Sequence, residues 1–170
     1  MGILPSSPAS SQLLPNHPGC PCLGDQPLVG ADRYGSYVTT NELSLDGPEF
    51  TGAQIYTLHK AALENGTFTM QAIYGSPIAL AEGPAYSLQP ATSPTSSDWS
   101  ADNNATAYFL SALDFNATLD NRVAEWRLTN TKSLATSTPN VTPETPTGHR
   151  LRGVRPAAGG DAEVRLDSAG

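Results

Sequence analysis

Apolar and polar side chains alternate with a period of two through the middle of the chain, and helical spacing is rare there. In residues 54–59, Ile55, Thr57 and His59 interleave with Tyr56 and Leu58, so opposite faces of an extended segment differ. Residues 35–43 are rich in Tyr, Val and Thr, and Asp32-Arg33-Tyr34-Gly35 ahead of them has the composition of a tight turn. The same reading predicts strands at 67–74, 85–89, 106–113 and 122–129, six in all. Asp46-Gly47-Pro48 breaks the chain between the first two, and Lys60-Ala61-Ala62-Leu63 predicts one helical turn closed near Asn65-Gly66. Val38, Leu43, Ile55, Tyr56, Leu58, Phe109, Leu110, Val123, Trp126 and Leu128 are the apolar side chains expected at strand centres on both faces, to be covered by neighbouring sheets.

A weak internal repeat runs at an offset of 70 to 71 residues. Tyr37-Val38 answers Tyr108-Phe109, Tyr56-x-Leu58 answers Trp126-x-Leu128, and Lys60–Leu63 answers Asn130–Leu134. Repeats on that scale suggest stacked or radial β-units that cover one another's apolar faces. The flanks read differently. Residues 1–27 carry six prolines with serines between them, and 136–170 lead from Pro139, Pro143 and Pro146 into an Arg- and Gly/Ala-rich end. Neither helix nor ladder is expected in such segments. The organisation expected is therefore a disordered 1–27, a β-region at 28–134 and a disordered tail at 135–170. Only 38% of the residues are apolar and 15% charged, which suits an exported β-protein better than a cytosolic helical one.

The net charge of −7 is unevenly spread. Residues 1–148 carry 13 acidic and 5 basic side chains, and 149–170 carry 3 acidic and 4 basic. An acidic body without a basic face argues against nucleic acid and against anionic membrane surfaces, because both need clustered Lys and Arg. No apolar run approaches the ~18 residues of a spanning helix, so no membrane insertion is expected. Residues 1–20 lack the ordered basic, apolar and small-residue regions of a secretory signal.

Candidate chemistry is thin. His17, Cys20, Cys22 and Asp25 fall within nine residues, but Cys-x-Cys is a poor match to the Cys-x₂₋₄-Cys spacing of structural zinc, and no metal is expected. A Cys20–Cys22 disulfide would close a strained small ring, so each cysteine is expected to be free or paired outside this chain. Asp32, Glu42, Asp46, Glu49, Asp114 and Asp120 lie at strand ends or in loops, where a pair of acids could do general acid/base work but where acids also stand for turn formation and solubility. No Gly-x-Ser-x-Gly elbow and no His-Glu-x-x-His helix occurs, and His59 reads as a packed or surface histidine. Asp98-x-x-x-Asp102-Asn103-Asn104 is rich in oxygen but lacks the order of a calcium loop. Asn65, Asn104, Asn116 and Asn140 stand in glycosylation acceptor sequences, which matter only in a glycosylating host. No catalytic residue and no cofactor is assigned.

The segments 24–32, 35–42, 52–56, 60–63, 88–91, 108–111 and 126–131 together resemble a family of uncharacterised exported bacterial β-propeller-like proteins, over about residues 20–134. Thr39-Thr40-Asn41-Glu42 and Leu88-Gln89-Pro90-Ala91 are the more specific parts of the match. The resemblance implies an all-β fold of antiparallel, blade-like sheets, about one and a half blades of a longer propeller, and a secreted or extracellular location. It implies no reaction. The expectation is a non-catalytic extracellular binding or structural module, a fragment of a larger exported propeller. Its partner is then an extracellular molecule or the missing blades of the same protein. Alternatives are a partial glycosidase-type hydrolase and a truncated reading frame without independent function. An incomplete propeller would leave one blade face open to solvent.

Overall fold

A computed structural model describes residues 21–47, 49–113 and 121–151. They are predominantly β. The first sheet is an antiparallel meander of β1 (Cys22–Ala31), β2 (Gly35–Ser44), β3 (Phe50–His59) and β4 (Met70–Tyr74), in that order. The predicted helical turn is α1 (Lys60–Glu64), between β3 and β4. The second sheet takes β5 (Gln89–Pro90), β6 (Ala107–Ala112), β7 (Arg122–Thr129) and β8 (Thr142–Pro143) in order, and β9 (Thr147–Arg150) also pairs with β7. Neither sheet closes on itself, and no propeller is formed by the described residues.

The two sheets meet face to face over one core. Tyr37, Ala53, Ile55 and Ile73 point inward from the first, and Ala107, Phe109, Ala124, Trp126 and Leu128 from the second. The rings of Tyr37 and Phe109 cross edge to face at 5.6 Å, a geometry that aromatic quadrupoles favour by about 1 kcal/mol beyond area burial. Loops close the ends of this layer: Ile78, Leu88, Leu134 and Val141 are buried, and the Trp126 indole donates to the carbonyl of Ile78 at 2.9 Å. Along one edge β1 lies beside β5, where Ser93 N–H donates to Ala31 O at 2.8 Å. Along the other edge Gln71 acts as a staple. Its amide Nε2 donates to Val141 O and its Oε1 accepts from Val141 N, both at 3.0 Å, so one side chain reproduces a strand pair between the sheets.

Several expectations are corrected. Residues 22–27, expected to lack structure, belong to β1. Gln26 and Pro27 fit because they form a bulge: Asp25 faces Asn41, Leu28 faces Thr39, and two residues oppose the single Thr40. A proline at a bulge of an edge strand needs no ladder N–H. In the expected disordered tail, residues 141–150 contribute a buried Val141 and the strands β8 and β9. The repeat fails at the level of side-chain phase. Tyr37 is 1% exposed, whereas its counterpart Tyr108 is 36% exposed and points outward, so the offset pairs opposite faces. Leu110, expected to be covered, is on the outer face at 49% exposure.

Candidate functional site

Asp32 is structural. Its Oδ1 accepts the backbone N–H groups of Tyr34 and Gly35, and its Oδ2 accepts the Tyr37 hydroxyl, all at 2.8 Å. This is the Asp-headed turn predicted from sequence, extended by a buried phenol that sequence alone did not single out. Gly35 makes the arrangement possible: a Cβ there would stand 2.5 Å from the Tyr37 ring. Burial first, and the charge of Asp32 second, push the Tyr37 hydroxyl above its ordinary value of 10.0. The carboxylate has three hydrogen bonds and a buried setting, which is a turn anchor and not a general base.

Glu42 is also buried, at 5% exposure, near one end of the first sheet's outer face. Its Oε1 accepts the Thr40 hydroxyl at 2.5 Å, and Gly24 on β1 leaves room for it, since a Cβ there would lie 3.3 Å from that oxygen. Burial, and next the charge of Glu42, raise the Tyr56 hydroxyl above its ordinary value of 10.0. Gln54 on β3 is 2% exposed and its Nε2 has no hydrogen-bond partner. Asp25, Asp46, Glu49, Asp98 and Asp102 are exposed, with Asp98 capping the 3-10 turn at 96–98 through Thr95. Asp114, Asp120, His17 and Cys20 lie outside the described residues.

Cys22 is disulfide-bonded, which corrects the expectation that it could be a free thiol; Cys20 lies outside the described residues. No cluster of three or more metal-binding side chains occurs among the described residues. His59 ends β3 half-buried and caps α1 through its backbone. Asn65, Asn104 and Asn140 are exposed, and Asn116 lies outside the described residues. No described helix is long and apolar enough to cross a membrane.

The feature that distinguishes the two sheets is their outer faces. On the second sheet Glu125, Arg127 and His149 face outward, with Arg127 pairing Glu125 at 2.6 Å and His149 reaching Glu125 at 3.4 Å. On the first, strand register aligns Val29, Val38, Tyr56 and Ala72 in one row and Ala31, Ser36, Leu58 and Met70 in the next. Neither row holds a charge. Val29 is 64% exposed at the edge, and Val38, Tyr56, Ala72 and Met70 are half-buried. No protein-family model, curated protein or solved structure matches the chain.

Proposed function

We propose that the chain is a non-catalytic binding or structural module of an exported β-propeller-like protein, and that the outer face of its first sheet receives a further sheet. The observation that carries this reading is the pair of uncharged rows centred on Val38–Tyr56 and Ser36–Leu58. Antiparallel sheets with one face in water alternate apolar inward and polar outward, and the second sheet carries Glu125, Arg127 and His149 on its outer face beside the exposed Tyr108 and Leu110. Two adjacent rows without a charge on the outer face of a sheet form a patch suited to be covered. The natural occupant is another twisted sheet of the same kind, because sheets stack about 10 Å apart with interdigitating side chains. In the isolated chain a second copy is the available substitute.

Hydrolysis is not part of the proposal, since Asp32 and Glu42, the two buried acids among the candidates, are engaged by turn N–H groups, a phenol and a threonine hydroxyl. Sedimentation velocity across micromolar concentrations tests the reading. Wild-type chain self-associates, and Val38→Glu returns it to monomer with little loss of thermal stability. A wild-type chain that stays monomeric at every concentration and binds no apolar-surface dye contradicts it.

A further inference from the structure

Three of the five basic side chains of residues 1–148, namely Arg33, Lys60 and Lys132, gather at the end of the body marked by the turn between β1 and β2. Arg122 and Arg127 are paired with Glu82 and Glu125, whereas among the described residues neither Arg33 nor Lys132 meets a carboxylate. Both line a cavity of about 270 Å³ with Tyr34, Trp99, Ser100 and Asn104, and no acid belongs to its wall. In an acidic molecule, two cations turned into one concavity are a local reversal of field.

The wall is built and fixed. Arg33 sits 5.3 Å from the ring centroids of both Tyr34 and Trp99, so its guanidinium is held by stacking while its N–H edge stays free. Trp99 is anchored in turn by its indole N–H, which donates to Ser93 O at 3.1 Å. Opposite, Asn103, Asn104 and Ala105 all take positive φ, at 50°, 59° and 71°. Each such residue costs about 1–2 kcal/mol, and for alanine there is no local side-chain compensation. Their carbonyls accept from the N–H groups of Asn130, Lys132 and Thr131 respectively, which brings Lys132 to the cavity. Ser100 belongs to the same wall, and its hydroxyl is buried behind it without a hydrogen-bond partner.

We infer that this cavity binds a compact acidic sugar, a uronate, with its carboxylate between Arg33 and Lys132 and a ring hydroxyl donating to the Asn104 side-chain oxygen. The guanidinium fork matches a carboxylate in geometry as well as charge. The Asn104 Nδ2 donates to Asn130 Oδ1 at 2.5 Å, which leaves the Asn104 side-chain oxygen as an acceptor that a sugar hydroxyl fills and an oxyanion without a proton does not. The volume suits one sugar ring and lies just below the ~300–1,000 Å³ of drug-sized pockets. The site is remote in argument from the sheet face: its occupancy does not depend on self-association.

Calorimetric titration of the full chain carrying Val38→Glu tests it, with sodium glucuronate as the probe and glucose and inorganic phosphate as comparisons. Glucuronate binds in the millimolar range and glucose does not. Arg33→Gln and Lys132→Gln each weaken glucuronate by about tenfold, the scale of one charge-assisted contact, with the thermal midpoint unchanged. Absence of glucuronate binding, or binding indifferent to Arg33→Gln, overturns the site. Phosphate binding as tightly as glucuronate overturns its assignment to a sugar acid.

Discussion

The contact between Asp32 and Tyr37 shows how one carboxylate can fix a turn and a core ring together. Tyr37→Phe leaves Asp32 Oδ2 without its buried donor and lowers stability at neutral pH by about 1–3 kcal/mol in urea denaturation. The pH dependence has a definite sign. Above the ordinary value of 10.0 an unfolded tyrosine loses its proton while folded Tyr37 keeps it, so the unfolded state binds fewer protons and stability falls as pH rises. The contribution is complete below pH 10.0 and declines above it, by up to about 1.4 kcal/mol per pH unit for one group. Tyr37→Phe lacks this decline, and its deficit relative to wild type shrinks in strong base; a deficit constant from pH 7 to alkali would contradict the assignment. Glycines separate in the same way. A Cβ at Gly30 would stand 2.5 Å from Ala91 O and 2.6 Å from Pro90, where β1 meets β5, and at Gly47 it would meet nothing. Gly30→Ala should lower the thermal midpoint severely and Gly47→Ala hardly at all. The Asp-headed turn was legible in the sequence because its chemistry is local, whereas the Tyr37 bond and the Gly30 contact depend on residues brought together by the fold.

Elements were legible where the alternation is strong. Residues 122–129 and 35–43 form strands at nearly the expected bounds, because their β-branched and aromatic side chains fit a half-buried pleat. Besides β9, the strands that sequence reading passed over carry prolines: β1 holds Pro27 at a bulge, and β8 holds Pro143. Both are edge strands, where proline is tolerated. The staple Gln71–Val141 explains why residues 141–143 join the fold despite the prolines around them. Gln71→Met, which keeps the volume and loses both hydrogen bonds, should cost about 1–3 kcal/mol. It should also release the Val141 amide to rapid hydrogen exchange while amides of β2 and β3 stay protected; unchanged exchange at Val141 would show that the staple carries no stability.

At the scale of the molecule, the candidate sites in the sequence were misleading for a physical reason. Acids at turns and strand ends look alike whether they cap backbone or catalyse, and here Asp32 and Asp98 cap. The cationic cavity was invisible in advance, since Arg33, Trp99, Ser100 and Lys132 come from three separate loops. The apolar outer face of the first sheet was partly legible, as Val38, Tyr56 and Leu58 were expected on strands that pack on neighbours through both faces. That face is the centre of the account. Sedimentation velocity of the wild type beside Val38→Glu measures it most directly: the account predicts concentration-dependent association of the wild type that the variant loses, and an association that Val38→Glu leaves intact, or no association at all, would contradict it.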